Sequence, residues 1–321
     1  MTSILITIDT ELSAGLHGRG ASVEENFSQT ILGRVPGGER GIAYQIAEFA
    51  AHKLKAVFFV EALSAGAVGI DMLKRTIDPI LSSGHEVQLH AHTEWLRWLA
   101  SDPVDGRRGA CMADFSLADQ RRLLELGIEN LAKAGAPRPI AFRAGNYGAN
   151  NDTLRALASL GVVYDTSYNF SYLGDPCAIL ADRHLQAPVR LDGVIEVPIT
   201  DFIDRPDHFR PAQLCAISKR EMQHVIDCAI AQRRQTAVVV SHSFELINRA
   251  RTRANRIVVD RFHQFCESVG EMSGRAKTCG FAGLDPASLT SQRAEPAPLQ
   301  SGMARTLARM AEQAIGTVIY G

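Results

Sequence analysis

The sequence predicts an α/β protein, an irregular (β/α)7-type barrel of parallel strands, and three observations support this prediction. Short apolar runs alternate along the chain with longer segments of helical periodicity. The runs are rich in Val, Ile and Phe with little polar alternation, which is typical of strands buried on both faces of a parallel sheet. Acidic, basic and histidine side chains directly follow several runs, at the position where catalytic residues of α/β barrels collect.

The apolar runs define eight predicted strands, and their alternation with helices implies successive βα units. An open doubly wound sheet is the alternative, because periodicity alone does not distinguish it from a barrel. The predicted strands are Ile4–Ile8, Ala56–Val60, Glu86–His90, Ile140–Arg143, Tyr164–Thr166, Val194–Pro198, Ala237–Ser241 and Lys277–Phe281.

Amphipathic segments between these strands predict six helices. Ser116 followed by Asp119 is typical of a helix start, because a serine oxygen can accept hydrogen bonds from free backbone N–H groups. The predicted helices are Ile42–His52, Leu73–Ser82, Ser116–Ala134, Asn151–Leu160, Ser218–Ala231 and Asn255–Val269.

The chain of 321 residues suits one large barrel followed by a short extension. We assign residues 1–281 to a catalytic barrel and residues 282–321 to a linker and a C-terminal helix. The linker, 282–302, is rich in Pro, Ser, Gln and Ala. The apolar residues of the predicted helix, Met303–Ile315, can pack on the barrel or on a partner, so a homo-oligomer formed through this helix is one expectation.

Composition excludes several classes of partner. The formal charge is -1, with 34 basic and 35 acidic residues, so no net field attracts nucleic acid. No apolar run is long enough to span a bilayer, and no secretory signal is visible. Six cysteines without a CxxC pair indicate reduced thiols rather than a disulfide framework. These features predict a cytoplasmic protein.

The first candidate site segment ends the first predicted strand with two carboxylates, Asp9 and Glu11. One carboxylate at such a strand end can bind a metal ion while the other takes a proton from water. The alternative is that Asp9 caps a loop and Glu11 is solvated.

The second segment presents His90, His92 and Glu94 at the end of the third strand. On a strand, residues two apart face the same side, so His90 and His92 can bind one ion. If the chain turns helical after His90, Glu94 joins His90 instead. His85 lies off this face and is expected to be structural.

The remaining segments carry Arg143, Asp165 and His242 at the ends of later strands. An arginine on a buried strand needs an acidic partner, and Asp9 is the natural one. His242 suits a general acid, because histidine exchanges protons near neutral pH. Gly145, two residues after Arg143, permits close approach of the backbone to a ligand.

Taken in order, these segments resemble those of the polysaccharide deacetylase family, also called NodB-homology or carbohydrate esterase family 4. The resemblance covers roughly residues 3–281 and includes the supporting segments Lys55–Val60, Gly84–Val87 and Gly193–Pro198. It implies a NodB-like barrel. Within the family, the chain looks closest to a branch linked with lipopolysaccharide and surface-polysaccharide biosynthesis.

The resemblance implies roles for the residues that match the family motifs. Asp9 matches the catalytic base and Arg143 the arginine that orients it. His90 matches the first metal histidine, and His242 matches the acid that protonates the leaving amine.

The resemblance also implies which residues contact the substrate. Tyr147 matches the residue whose backbone N–H helps to hold the oxyanion, and Asp165 falls in the segment that lines the acyl pocket and supports the acid. Trp95, Trp98 and Tyr168 can supply apolar platforms for a sugar ring, with burial in the core as the alternative.

Two positions depart from the family pattern. Thr10 stands where the family has its metal-binding aspartate, and Glu94 stands where it has its second metal histidine. Glu11 can replace the lost carboxylate, and His92 or Glu94 can complete the set of ligands. Imidazole and carboxylate ligands favour zinc as the divalent ion.

The sequence therefore predicts a metal-dependent hydrolase that removes an N-acyl group, N-acetyl in the first instance, from an amino sugar. A cytoplasmic location favours a nucleotide-linked or lipid-linked precursor of a surface polysaccharide as substrate. The alternatives are an amidase or ureide hydrolase that acts on a small non-sugar substrate, and a catalytically decayed homologue that only binds carbohydrate.

Overall fold

The computed structural model describes residues 1–272, 274–290 and 295–320. Its main sheet contains eight parallel strands and one antiparallel edge strand. The strands in the described residues are β1 Thr2–Thr10, β2 Arg34–Val35, β3 Gly38–Glu39, β4 Ala56–Glu61, β5 Glu86–Ala91, β6 Ala141–Ala144, β7 Tyr164–Asp165, β8 Val189–Leu191, β9 Val194–Glu196, β10 Asp201–Arg205, β11 His208–Pro211, β12 Thr236–His242, β13 Ala276–Thr278 and β14 Leu299–Gln300.

The strand order of the main sheet is β12-β1-β4-β5-β6-β7-β9-β8, and β13 pairs with the start of β1. All nine residues of β1 are buried, because this strand pairs with β12 on one side and with β4 on the other. The apolar runs of the sequence are therefore explained by burial on both faces of the strands.

The sheet curls toward closure without a direct pairing of β9 with β12. The gap is bridged by the chain that follows β9, since the N–H of Leu214 donates to the Val240 carbonyl at 2.9 Å. The N–H of Val240 in turn donates to the Ala212 carbonyl at 2.9 Å. This bridge makes the barrel irregular, as the sequence predicts.

Helices cover the outside of the sheet and connect its strands. They are α1 Ala14–Gly18, α2 Val23–Thr30, α3 Ile42–Ala51, α4 Ala65–Val68, α5 Ile70–Ser82, α6 Leu117–Lys133, α7 Asn151–Ser159, α8 Lys219–Ala231, α9 Arg256–Gly270, α10 Pro286–Leu289 and α11 Met303–Tyr320. Ser116 caps α6 as expected, because its side-chain oxygen accepts the Asp119 N–H.

The predicted α/β fold is confirmed, and each predicted strand overlaps an observed strand of the main sheet. The predicted helices correspond to α3, α5, α6, α7, α8 and α9, with bounds that differ by up to three residues. The sequence analysis missed a second sheet of order β11-β10-β14 and the small hairpin of β2 and β3. These strands are two to five residues long, too short for a periodic signal.

The described part of the predicted linker, 282–302, contains regular secondary structure. It contains α10, and Leu299 and Gln300 form β14, which pairs with β10 in parallel. Residues 291–294 of the predicted linker, and residue 321 after the helix, lie outside the described residues.

Helix α11 continues to Tyr320, beyond the predicted end at Ile315. Its Arg309 is buried and binds two buried carboxylates, Asp204 at 2.6 Å and Glu221 at 3.1 Å. The opposite face exposes apolar side chains: Met303, Leu307, Met310, Ile315, Val318 and Ile319. A homo-oligomer formed through this face stays a prediction. None of the described helices has the length and hydropathy needed to cross a membrane.

Candidate active site

The carboxyl ends of β12 and β1, and of β5 and β6 on the other side of β4, bring the predicted site residues together. Asp9 of β1 lies opposite His242 of β12 in the strand register, and His90 of β5 lies opposite Arg143 of β6. Parallel strands end at the same edge of a sheet, so these four side chains meet at one rim of the barrel. They come from segments up to 233 positions apart in the chain.

Asp9 and Arg143 form a buried ion pair. The Nη1 of Arg143 donates to Oδ1 of Asp9 at 2.6 Å and to the hydroxyl of Thr7 at 2.9 Å. The guanidinium carbon lies 4.5 Å from the centre of the Phe59 ring, which holds it from below. The predicted partnership of these two residues therefore exists, and it fixes the orientation of the Asp9 carboxylate.

His242 contacts Asp9 on one side and Glu245 on the other. Its Nε2 lies 3.8 Å from Oδ2 of Asp9, and its Nδ1 lies 2.7 Å from Oε1 of Glu245. Burial lowers the pKa of His242, but the carboxylates of Glu245, Asp9 and Glu11, with Glu245 foremost, together raise that pKa to about 9. The imidazole is therefore protonated at neutral pH, and a proton donor points toward Asp9.

Glu11, His90 and His92 form a compact group of three potential metal ligands. Oε2 of Glu11 lies 2.5 Å from Nε2 of His92 and 3.3 Å from Nε2 of His90. One ligand atom from each residue lies within 4.8 Å of the other two. The two histidines converge because they are two residues apart at the end of β5, as their spacing predicts.

Each histidine of this group is held through its other ring nitrogen. Nδ1 of His90 lies 2.7 Å from the Arg143 carbonyl oxygen, which sets Nδ1 as the protonated nitrogen. Nδ1 of His92 lies 3.2 Å from Oε2 of Glu94. Metal-binding histidines usually have such an outer partner, which leaves Nε2 free for the ion. Glu94 thus lies behind His92 rather than beside Glu11.

The residues present fit a divalent metal ion. Oε2 of Glu11 is buried, and its close partners are the Nε2 atoms of His92 and His90, the two nitrogens that would share an ion with it. Burial raises the pKa of Glu11, yet His92 and His90 hold it well below its usual value. An anionic oxygen and two imidazole nitrogens form a three-ligand set typical of catalytic zinc sites. A second group, Glu48, His52 and His263, lies between α3 and α9, outside this cavity.

A glycine makes room for the histidine pair. A side chain at Gly145 would place its first carbon 2.7 Å from Cγ of His92 and 2.8 Å from the Ala91 carbonyl oxygen. The close approach expected at Gly145 is therefore made to a candidate ligand. After it, Asn146 and Tyr147 adopt positive φ values of 56° and 58°, a conformation that costs energy and is often found at functional sites.

The site opens into a cavity of about 540 Å³. Tyr147 and Tyr172 stack on its wall, with ring centres 5.6 Å apart. Of the proposed sugar platforms, Trp95 and Tyr168 are instead buried in the core. The cavity is lined by Asp9, Glu11, His90, His92, Ala110, Cys111, Ala144, Asn146, Tyr147, Tyr172, Asp175, Pro176, Gln213 and His242.

Asp165 is the predicted catalytic residue that the structure does not place at the cavity. It is fully buried on β7 and accepts hydrogen bonds from the N–H and hydroxyl of Ser167. The Ser167 hydroxyl also accepts the N–H of Ala144, at the start of the turn that carries Tyr147. Asp165 lies opposite Glu196 in the register of β7 and β9, and burial raises the pKa of both carboxyls.

Sequence reasoning missed Glu245, which is the residue that supports His242. Its Oε1 also accepts hydrogen bonds from the amide of Gln213, at 2.6 Å, and from the thiol of Cys215, at 3.2 Å. The spacing of three residues between His242 and Glu245 was the available signal. It is weak, because it brings the two side chains together only if the chain turns at once after β12.

The fold resembles solved structures at low sequence identity. The "putative polysaccharide deacetylase from Mycobacterium smegmatis" superposes with a TM-score of 0.57 and 15% identity, over 92% of this chain and 94% of that chain. The 4-alpha-glucanotransferase of Thermococcus litoralis superposes with a TM-score of 0.51 and 11% identity, over 94% of this chain and 42% of that chain. No protein-family model matches the chain, and no curated protein matches its sequence.

At these identities the likeness establishes the fold alone. Because one fold carries proteins with different named activities, the activity of this chain has to be argued from its own side chains.

Proposed function

We propose that this protein is a metal-dependent hydrolase that removes an N-acyl group, N-acetyl in the first instance, from an amino sugar. The observation that carries the proposal is that a candidate acid–base pair and a set of three potential metal ligands converge on one cavity. Asp9 and His242 face each other across 3.8 Å, and Glu11 joins the two histidines of β5 beside them. This arrangement agrees with the resemblance to the polysaccharide deacetylase family, to which we propose the chain belongs.

The proposed ligands of the metal ion are Glu11, His90 and His92, with Glu94 as the outer partner of His92. Zinc suits these nitrogen and oxygen donors best. When bound, such an ion supplies Lewis acidity toward the amide carbonyl and the attacking water. Thr10 does not take part in this set, because its hydroxyl donates to the Ile8 carbonyl.

Asp9 is the proposed general base. The pair with Arg143 leaves Oδ2 of Asp9 as the oxygen that faces His242 and the cavity. As the water oxygen bonds to the acyl carbon, Asp9 accepts the water proton. The backbone N–H of Tyr147, presented by the strained turn, is the proposed donor to the oxyanion.

His242 is the proposed general acid. It is protonated at neutral pH, because the nearby carboxylates, with Glu245 foremost, raise its pKa to about 9. As the bond between carbon and nitrogen breaks, His242 donates its Nε2 proton to the leaving amine. The products are a carboxylic acid and an amino sugar, with Asp165 acting on the site only through Ser167 and the Tyr147 turn.

The proposed substrate is a cytoplasmic, nucleotide-linked or lipid-linked precursor of a surface polysaccharide. All six cysteines are free, which supports a reducing compartment. The cavity of about 540 Å³ has the volume typical of small-ligand sites, which favours a small precursor over mature polysaccharide.

The test is amine and acetate release from N-acetylated amino sugars by purified protein of known metal content. We expect activity that is lost with chelator and restored by zinc. Asp9→Asn should lower turnover by about 10²–10⁴-fold while metal content stays unchanged, and it should lower the temperature of thermal unfolding, because the buried Arg143 loses its charged partner. Asp78→Asn, which alters an exposed carboxylate on α5, is the matched control. Turnover like wild type in Asp9→Asn would rule out the assigned base.

The same measurements distinguish the alternatives. An amidase or ureide hydrolase would release amine from small non-sugar amides or ureides in preference to amino sugars. A decayed carbohydrate-binding homologue would bind N-acetylated sugars without releasing acetate. The alignment of base, acid and ligand group around one cavity favours the hydrolase.

A further inference from the structure

A second cluster of potential metal ligands lies on the outside of the barrel. Glu48 and His52 belong to α3, and His263 belongs to α9. Oε2 of Glu48 lies 2.8 Å from Nδ1 of His263 and 3.9 Å from Nε2 of His52. One ligand atom from each residue lies within 4.8 Å of the other two. None of the three lines the candidate cavity, so the cluster is separate from the proposed catalytic site.

The packing of α3 against α9 fixes the positions of these three side chains. Phe49 of α3 and Phe262 of α9, each the sequence neighbour of a candidate ligand, are buried with ring centres 5.4 Å apart. Gly270 ends α9 and permits a close approach, because a side chain there would place its first carbon 3.1 Å from the His52 carbonyl oxygen. Ligands on packed helices keep their geometry better than ligands on loops. The cluster is therefore held on a rigid frame.

The separations of the ligand atoms suit a shared metal ion. Two atoms bound to a tetrahedral zinc ion at about 2.0–2.2 Å lie about 3.3–3.6 Å apart, and the observed 2.8 and 3.9 Å bracket this range. At 3.9 Å, Nε2 of His52 is too far from Glu48 for a hydrogen bond, although its ring centre lies 5.7 Å from that of His263. An ion pair thus explains Glu48 and His263, whereas a metal ion explains all three residues.

The exposure of the cluster leaves a path for an ion from solvent. The side chains of Glu48 and His52 are 17% and 22% exposed, whereas that of His263 is 52% exposed. Glu48 and His52 are four residues apart, so they share one face of α3. Two imidazole nitrogens and one carboxylate oxygen are donors that favour zinc. The cluster therefore presents one open side, at His263, where an ion can enter and retain a water molecule.

We propose that Glu48, His52 and His263 bind a zinc ion that joins α3 to α9. This inference goes beyond the proposed function, because the ion lies outside the cavity and has a structural role. Glu48 and His263 are 215 positions apart in the chain, and a metal ion that closes so long a loop restricts the unfolded chain. Because the ion binds the folded arrangement, zinc should raise the temperature of thermal unfolding.

The test measures zinc binding to the full chain after treatment with chelator. His52→Gln and His263→Gln each remove a proposed ligand, and His208→Gln removes another partly exposed histidine, on β11, as the matched control. Equilibrium dialysis followed by elemental analysis gives the number of zinc ions per chain. Competition with a chromogenic chelator gives their affinities. His92→Ala, which removes a proposed ligand of the catalytic site, distinguishes the two sites.

We expect wild type and His208→Gln to bind two zinc ions per chain. His52→Gln and His263→Gln should each weaken the binding of one ion by about tenfold or more, since loss of even an outer partner of a metal ligand costs about 10–100-fold. In His92→Ala, zinc should still raise the temperature of thermal unfolding. Adding His263→Gln to His92→Ala should remove that rise.

Two results would overturn the site. One is an equal number and affinity of zinc ions in wild type, His52→Gln and His263→Gln. The other is an equal loss in His208→Gln, which would indicate binding by surface histidines in general.

The two metal sites can also fail separately. If the proposed catalytic site holds no zinc, wild type binds one ion instead of two, and the comparison with His263→Gln still decides on the cluster. If His52→Gln does not fold, His263→Gln decides alone, because its side chain is half-exposed.

Discussion

His242 and Glu245 form a hydrogen-bonded pair in which Nδ1 of the imidazole lies 2.7 Å from Oε1 of the carboxylate. The pair orients the other nitrogen, Nε2, toward Asp9. It also influences the pH at which His242 loses its proton. The proposed acid and the proposed base are thus held by different partners, Glu245 for His242 and Arg143 for Asp9.

The pH dependence of turnover should report this pair. The nearby carboxylates, with Glu245 foremost, raise the pKa of His242 to about 9 against the effect of burial, so the acid form is present below that pH and is lost above it. Glu245→Gln removes the charge that raises the pKa, while burial still lowers it. We expect the alkaline limb of the kcat/KM profile to move to lower pH by about 1–3 pH units.

Glu245→Asp is the conservative control and should restore part of the shift. An unchanged alkaline limb in Glu245→Gln would show that another group sets the upper limit of the profile.

The zinc affinity of the proposed site should depend on both Glu94 and His92, but to different degrees. His92 contributes a proposed ligand atom, whereas Glu94 contacts only the opposite nitrogen of its ring, at 3.2 Å. We expect Glu94→Gln to weaken zinc affinity by about 10–100-fold, as for other outer partners of metal histidines. His92→Ala should weaken it further, because a ligand is lost.

Competition with a chromogenic chelator measures both affinities, and Glu125→Gln on the exposed face of α6 is the control. A larger loss in Glu94→Gln than in His92→Ala would instead make Glu94 a direct ligand.

A substitution at Gly145 tests the proposed metal ligands without removing any of their side chains. A methyl group at this position would lie 2.7 Å from Nδ1 and Cγ of His92, so the ring or the turn must move. We expect Gly145→Ala to lower zinc affinity by about tenfold or more and to lower turnover with it. Gly316→Ala, with its nearest contact at 3.6 Å, is the matched control.

If Gly145→Ala retained both zinc affinity and turnover, the position of His92 would not matter to the site.

The barrel and its central residues were predictable because burial leaves a strong signal. Strands such as β1 and β12 have apolar centres, and a charged residue at the end of such a strand stands out. His90 and His92 could be paired from their spacing alone, since alternate residues of a strand share a face. For these residues, local sequence and overall fold give the same answer.

The site residues that could not be predicted depend on loop geometry, which the periodicity of the sequence does not encode. Glu245 reaches His242 only through the turn after β12. Asp165 is fully buried and does not line the cavity. Glu245, rather than Asp165, hydrogen-bonds to His242 in this structure.

The C-terminal helix should be part of the folded domain rather than an appendage to residues 1–281. Arg309 of α11 is buried between Asp204 and Glu221, and both carboxylates are fully buried themselves. Arg309→Met keeps most of the packing volume but leaves buried negative charge without its partner. We expect this change to lower the free energy of unfolding by about 3 kcal/mol or more.

Urea denaturation followed by circular dichroism measures that loss. Arg305→Met on the same helix is the control, because the Arg305 side chain hydrogen-bonds to His224 rather than to a buried carboxylate among the described residues. A single transition that moves to lower urea in Arg309→Met would show that α11 and the barrel unfold together. If the barrel transition stayed in place while only helical signal was lost early, α11 would be an independent extension, and the boundary at 281 would stand.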